Sequence, residues 1–470
     1  MKKYVITNFG CQMNYADGER FSAIIEQIPN FSQTDKLEEA DLLILNSCSV
    51  RQKAEDRILG LGRLMEKLKI NNPELKIVLT GCMSRRNWAG KDSKSPLQQT
   101  QTQREEELKK VMPWVDYVLE SKDFHKLPEL LGYKIENRID DYLSFKPNLS
   151  STFQAYVPIS VGCDHFCSYC IVPFARGIEI CREASDIILE VKELVAKGYK
   201  DIVLVGQTVN RYINPELDIF GKGLRGNTRI EGLNKEMLTD LSKLPRDFLQ
   251  LLQIIDAMEG DFWLSFMSSH PNYMSEQLID FMAESKHIRP YLHFALQSGS
   301  DRILKRMNRR YSAEEFLKIG KYMKKKIKGL GLSTDIIVGF PGETQEDLEM
   351  TAKLMSKLEF DMAYISEYSP RKGTASALIN DDVPQGLKKK WKRYLNDEIL
   401  AKTALGNNQK MLGKVYKCLI EKNIKGDSNL ARTGNYKEIM FKAKDKRIGE
   451  FIDLKVSSVT PWALKGKAIQ

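Results

Sequence analysis

Cys163-Asp164-His165-Phe166-Cys167-Ser168-Tyr169-Cys170 brings three cysteines into one short loop, after an alternating run from Tyr156 to Val161 and a glycine, Gly162. Three thiolates this close can hold three irons of a 4Fe–4S cluster and leave the fourth iron without a protein ligand. An open metal position is where chemistry is done, by the logic that separates catalytic from structural zinc sites. A zinc site with His165 as fourth ligand is the competing reading. Zinc sites favour paired Cys-x2-Cys knuckles, and a second pair is missing here.

Outward from this loop, between Phe153 and about Arg371, short apolar runs alternate with helical ones. Strands are expected at Tyr156–Val161, Ile202–Val205, Trp263–Met267, Tyr291–Leu296, Leu332–Val338 and Met362–Ser366. Helices fit Glu183–Lys197, Ser275–Ser285, Asp301–Met307, Ala313–Lys326 and Thr344–Leu358. Six such units predict an incomplete (β/α)6 barrel with its chemistry at the carboxyl ends of the strands. The turns there carry candidate ligand contacts at Gly206, Gln207, Ser298 and Gly339, because glycine lets backbone approach a ligand and polar side chains can bind one. His270, before Pro271, is either a loop histidine or a catalytic one. Asn210–Gln253 interrupts the pattern and reads as an insertion with helical content from near Leu233.

Ahead of the barrel, Tyr4–Thr7, Leu42–Leu45, Lys76–Thr80 and Tyr117–Leu119 read as short buried strands. Helices are expected at Asp17–Ile28, Arg51–Leu68 and near Arg104–Val111, which predicts a parallel sheet covered on both faces. Arg85–Gln103 is polar and reads as a loop. Cys11, Cys48 and Cys82 each fall directly after one of the first three of these strands. The carboxyl ends of parallel strands share one edge, where ligands bind, so these cysteines should converge. Buried free cysteines are common as small hydrophobes, but that does not explain the repeated position. A second iron–sulfur cluster does.

The charge is unevenly placed. Pro384 to Gln470 carries 20 Lys and Arg against 8 Asp and Glu, while the rest of the chain carries 52 against 54. That is the footprint of a nucleic-acid-binding appendage on a near-neutral body, or else a solvated basic tail. Lys414–Glu421, Asn429–Thr433, Ile439–Lys442 and Phe451–Val459 read as strands of a small barrel of the oligonucleotide-binding (OB) type. The expected division is an α/β N-terminal domain (1–137), a polar linker (138–152), the barrel (153–383), a basic helical linker (384–409) and the small all-β domain (410–470). No apolar run is long enough to span a bilayer and no secretory signal is visible, so a cytoplasmic protein with reduced cysteines is expected. Cys181 and Cys418, outside both trios, read as ordinary thiols.

Both trios, the barrel and the basic tail together resemble the methylthiotransferases of the radical S-adenosylmethionine superfamily. The Cys-x3-Cys-x2-Cys spacing with Tyr169 before the last cysteine is similar to that superfamily's signature. Gly10-Cys11-Gln12-Met13-Asn14, Asn46-Ser47-Cys48-Ser49-Val50-Arg51, Ser268-Ser269-His270-Pro271 and Gln297–Ser300 resemble the branch acting on tRNA isopentenyladenosine. Arg176-Gly177-x-Glu179-x-x-Arg182 matches the family's run after the cluster, with Cys181 where serine is usual. The resemblance implies two 4Fe–4S clusters, one on Cys163, Cys167 and Cys170 and one on Cys11, Cys48 and Cys82, with S-adenosylmethionine at the first. It implies a TRAM domain at the C-terminus, and a tRNA anticodon stem-loop, an electron donor and a sulfur donor as partners of a monomeric enzyme. The implied reaction is methylthiolation at C2 of the isopentenyl (dimethylallyl) adenosine beside the anticodon. The threonylcarbamoyl-adenosine and ribosomal-protein aspartate branches are the alternatives, and a non-catalytic iron–sulfur or zinc RNA-binding protein is the alternative of another class.

Overall fold

The computed structural model describes residues 1–50, 52–85, 101–134, 141–217, 244–444 and 446–469. Five strands, β1 (Lys2–Asn8), β2 (Phe31–Gln33), β3 (Leu42–Ser47), β4 (Lys76–Gly81) and β5 (Tyr117–Val118), form a parallel sheet in the order β2-β1-β3-β4-β5. Every residue of β3 is buried, as a strand covered on both faces requires. The strand order reverses between β1 and β3, so the chains leaving them part and open a crevice at their carboxyl ends. The three-residue edge strand β2 was too short to show as a periodic signal. The first helix begins earlier than its apolar pattern, at Gln12, and the helix expected over Arg51–Leu68 breaks at Gly60 into Gln52–Leu59 and Gly62–Asn71. Most of the polar Arg85–Gln103 loop lies outside the described residues. Tyr142, Leu143 and Phe145, in a stretch read as linker, are buried, with Tyr142 and Phe124 both against Phe21.

The barrel strands are β6 (Gln154–Pro158), β9 (Asp201–Val205), β10 (Trp263–Phe266), β11 (Tyr291–His293), β12 (Gly331–Val338) and β13 (Met362–Glu367). They run parallel as β6-β9-β10 and β11-β12-β13, and single bridges Leu264–Ile288 and Ser269–Phe294 join the halves. The strand expected over Tyr156–Val161 breaks after Pro158, which has no N–H for a ladder. Beyond it, β7 (Ser160–Val161) turns to pair with β8 (Ile180–Cys181) and frames the Cys163–Cys170 loop. Helix Phe248–Asp256, N-capped by Asp247, packs Leu251, Leu252 and Ile255 into the barrel core. The interruption therefore ends before this helix rather than at Gln253, and its reading near Leu233 lies outside the described residues.

The open flank of the barrel is covered from within the chain. Ile202 and Leu204 of β9 join the main core, while Val203 and Val205, on the other face of the strand, meet Met13 and Ala16 of the first helix. Two buried arginines fasten this contact. Arg20 Nη2 donates to both oxygens of Glu190 at 2.8 Å, and Arg182 Nη1 lies 2.8 Å from Glu190 Oε2. Burial pushes the Glu190 carboxyl up, but the two guanidiniums outweigh it and hold it below the ordinary 4.5. A carboxyl with a depressed folded pKa adds stability that is full above the unfolded value and is lost as pH falls through the folded one. Glu190→Gln is expected to lower stability by about 3 kcal/mol, because two charges lose their buried partner, and to reduce the loss of stability in acid below about pH 4. Chemical denaturation at about pH 7 and about pH 3 checks both.

After β13 a continuous helical run from Gln385 to Gln409 leads to β14 (Val415–Lys425), β15 (Ser428–Thr433), β16 (Glu438–Lys442), β17 (Phe451–Val459) and β18 (Leu464–Ala468). They close as β14-β15-β16-β18-β17, the small OB-like barrel expected of this stretch. Its β15–β16 turn seats against the amino ends of the α/β barrel strands. There Arg289 donates to Thr433 O at 2.7 Å and Gly434 O at 3.2 Å, and pairs with Asp201 at 3.2 Å, both side chains fully buried. Tyr436 stacks on Tyr291 at 4.2 Å, and Lys437 pairs with Asp361 at 2.7 Å. The small barrel thus caps the end of the α/β barrel opposite the cysteine loop.

Candidate functional site

Two turns that only glycine can make aim the cysteines. Gly81, at φ +80°, ends β4 where an added Cβ would stand 2.4 Å from Ser47 O, and Gly162, at φ +85°, precedes Cys163 where a Cβ would stand 2.0 Å from Ile178 O. Cys11 caps the first helix, Cys48 follows β3 and Cys82 opens the turn after β4, so the crevice at the β1/β3 reversal holds all three. An asparagine network fixes these turns. Asn14 Nδ2 donates to Asn46 Oδ1 at 3.0 Å and Ser47 O at 2.9 Å, and Asn46 Nδ2 donates to Asn8 Oδ1 at 2.8 Å. Cys48 and Cys82 are hydrogen-bonded to each other, which with burial and neighbouring thiolate charge raises Cys48, while the same bond and the Arg176 charge, against burial, favour the Cys82 thiolate.

In the barrel loop Cys163, Cys167 and Cys170 are close enough for their charges to act on one another. Burial first, then the neighbouring thiolate, pushes Cys170 up to about 12 and raises Cys163. Donors are nevertheless aimed at each sulfur. The His165 N–H faces Cys163, the Val172 N–H faces Cys170, and Arg309 Nη1 lies 3.5 Å from Cys167 Sγ. Donors to sulfur and a guanidinium stabilise thiolates, the form that binds metal. In the N-terminal trio the Val50 N–H faces Cys48 and the Ser49 N–H faces Cys82. Both sets therefore fit an iron–sulfur cluster. Among the described residues no three Cys, His, Asp or Glu side chains are drawn close enough to share one metal ion, whereas a 4Fe–4S cluster takes each thiolate on a different iron.

The four candidate ligand contacts share the barrel's carboxyl rim but differ in what is left to offer. Gly206 follows β9 with Ser160 Oγ 2.7 Å from where a Cβ would be, and Gln207 beside it is half-buried. Ser298 is fully buried and its hydroxyl accepts from Ser300 N at 3.3 Å, while the Gly339 N–H donates to Glu343 and the glycine leaves room for the Lys388 stem. His270 is buried and stacks on His165 at 4.3 Å with planes 1° apart. Burial first, then nearby arginines, holds His270 down to about 2 and His165 to about 4, so both rings are neutral. The histidine pair and Arg309 were not singled out from sequence as a unit, since they meet only through the fold. Backbone strain marks the same rim: Phe166, Ser268 and Gln297 all have positive φ, at 44°, 70° and 72°.

A parallel half-barrel with a three-cysteine loop at its carboxyl rim defines a radical S-adenosylmethionine enzyme, and residues 157–355 match the model of the radical SAM superfamily. Residues 3–102 match the model described as uncharacterized protein family UPF0004, and 409–469 the TRAM domain. The chain is 35% identical over 484 residues to the tRNA-2-methylthio-N(6)-dimethylallyladenosine synthase of Clostridium novyi (strain NT), covering 100% of this chain and 97% of that one. It is 35% identical over 480 residues to the synthase of that name from Caldicellulosiruptor saccharolyticus, covering 100% and 93%. This chain belongs to the family of tRNA-2-methylthio-N(6)-dimethylallyladenosine synthases. Among solved structures it is similar to the radical S-adenosylmethionine methyltransferase TsrM of Kitasatospora setae, determined with cobalamin and a 4Fe–4S cluster, at a TM-score of 0.53 and 13% identity over 80% of this chain and 77% of that one. That likeness concerns the fold.

Proposed function

We propose that this chain is a radical S-adenosylmethionine tRNA methylthiotransferase that converts the N6-isopentenyl (dimethylallyl) adenosine beside the anticodon to its 2-methylthio form, using two S-adenosylmethionine per product. The carrying observation is one chain with two convergent cysteine trios, each at the carboxyl edge of its own parallel sheet, joined to a basic barrel. Cys163, Cys167 and Cys170 would hold a 4Fe–4S cluster that would supply the electron for reductive cleavage of S-adenosylmethionine, and Cys11, Cys48 and Cys82 would hold a second that would supply a position for the sulfur. The rim with Gly206, Gln207, Ser298 and Gly339 receives S-adenosylmethionine. Gly206 and Gln207 serve as contacts, and Ser298 and Gly339, whose polar groups are taken, shape their turns. The neutral His165–His270 pair offers ring nitrogens without adding charge, and Arg309 keeps a cation at Cys167. An electron donor and a sulfur donor complete the system, with the chain acting as a monomer in the cytoplasm. No helix among the described residues is long and apolar enough to cross a membrane.

Nucleoside mass spectrometry of tRNA tests this reading in a strain that lacks its own enzyme and expresses this chain. Gain of the methylthio mass on isopentenyladenosine is expected; isopentenyladenosine left unchanged contradicts it.

For the RNA contact, Lys455 and Lys467 lie directly opposite on β17 and β18, with Lys465 beside them and Trp462 45% exposed. Like charges directly opposite are unfavourable in a sheet, and among the described residues none of the three lysines is paired with a carboxylate, so an anionic partner relieves them. Changing all three to alanine is expected to weaken stem-loop binding and to flatten the slope of log affinity against log salt by about 2. An unchanged slope would make them solvated surface. These substitutions are cleaner than deleting Met411–Gln470, which would strip Thr433 and Gly434 from buried Arg289.

A further inference from the structure

Arg176 reaches from the barrel's cysteine loop into the N-terminal trio. It ends the short helix Val172–Arg176, which starts just after Cys170 and packs Ala175, with Ile171, against Cys82. Its side chain is 4% exposed, and Nη2 donates to Asp17 Oδ2 at 2.9 Å, where Asp17 is fully buried. Tyr142 Oη donates to Asp17 Oδ1 at 3.1 Å, so both carboxylate oxygens are engaged. The guanidinium donates a hydrogen bond to the Cys82 sulfur and lies near that of Cys11, besides its pair with Asp17. Yet Nη1 is buried with no hydrogen-bond partner. A fold that places a rigid, permanently charged fork here and leaves one arm unpaired accepts an avoidable penalty, unless that arm has a partner in the working enzyme.

We propose that Arg176 is a positioning residue of the sulfur site, with Nη1 donating to the anionic sulfur, a hydrosulfide or alkylthiolate, that the N-terminal trio carries for transfer. The helix from Cys170 sets the guanidinium's place relative to the other trio, and Asp17 offsets its buried charge. The inference rests on reading Cys11, Cys48 and Cys82 as a cluster site. The test uses the full-length chain with Cys163, Cys167 and Cys170 changed to alanine, so that only the N-terminal cluster reports. Sodium hydrosulfide is titrated against the electron paramagnetic resonance and absorption of that cluster. Arg176→Gln is expected to keep the iron and weaken hydrosulfide binding about tenfold or more, as loss of a charge-assisted bond does, while Asp17→Asn, which spares the guanidinium, changes it far less. Equal affinity in Arg176→Gln and its parent, or equal weakening by Asp17→Asn, overturns the proposal in favour of a structural ion pair. If Arg176→Gln loses its iron, Arg176→Lys decides: retained iron with clearly weaker hydrosulfide binding supports the proposal, and unchanged binding or lost iron overturns it. A parent holding no iron would instead overturn the cluster reading of the trio, and the inference with it.

Discussion

Replacing Cys11, Cys48 and Cys82 together with alanine is expected to lower the iron content from about eight to about four per chain, to leave S-adenosylmethionine cleavage intact and to abolish the methylthio product. The three residues close one crevice at the β1/β3 reversal, and none belongs to the barrel loop. Cys48 and Cys82 are buried and small enough that alanine leaves little void, and the turns are held by Asn14, Asn46 and Gly81 rather than by the thiols. The domain should therefore persist, so that lost product reports lost chemistry rather than lost fold. Iron and sulfide analysis beside separate assays of 5′-deoxyadenosine and methylthio nucleoside reads all three effects. Eight irons retained, or product still formed, would contradict the assignment.

The complementary change, Cys163, Cys167 and Cys170 to alanine, is expected to remove S-adenosylmethionine cleavage altogether and with it the product, again leaving about four irons. The C-terminal barrel sits at the amino ends of the strands, at the other end from this loop, fastened by Arg289 and Tyr436. Stem-loop affinity and its salt dependence should therefore survive in the same variant. A variant that still makes 5′-deoxyadenosine would remove the loop from the reaction. One that loses tRNA binding as well would mean that the loop itself carries much of the RNA contact.

Features encoded in a few neighbouring residues were readable from sequence. The barrel trio is local, and the N-terminal trio showed itself because each cysteine follows a strand. The six barrel strands were visible because buried parallel strands are short apolar runs between helices. Elements that depend on distant partners were not. β2 is a three-residue edge strand whose strand partner among the described residues is β1. Tyr142 and Phe145 look like linker until Phe21 and Phe124 are brought beneath them. The end of the interruption could have been found: Asp247, with its side chain accepting from Gln250 N, is a helix start that the residue order Asp-Phe-Leu-Gln announces. The His165–His270 stack, Arg309 against Cys167 and Arg176 against Cys82 join segments far apart in sequence, and no local pattern records such meetings. The sequence located the positive charge in the tail but could not say that its β15–β16 turn plugs the barrel floor.

Single-turnover product formation on three tRNAs that differ only in the base beside the anticodon tests the central claim most directly. The isopentenyl group is apolar, and each methylene of it is worth about 1–3 kcal/mol in a pocket built for it, so unmodified adenosine reacts more slowly but leaves no charge unpaired. Threonylcarbamoyl carries a carboxylate, which is costly to bury without a partner. The account predicts product on isopentenyladenosine tRNA, a slower but measurable rate on unmodified tRNA, and none on threonylcarbamoyl-adenosine tRNA. Comparable rates on the isopentenyl and threonylcarbamoyl substrates would contradict it.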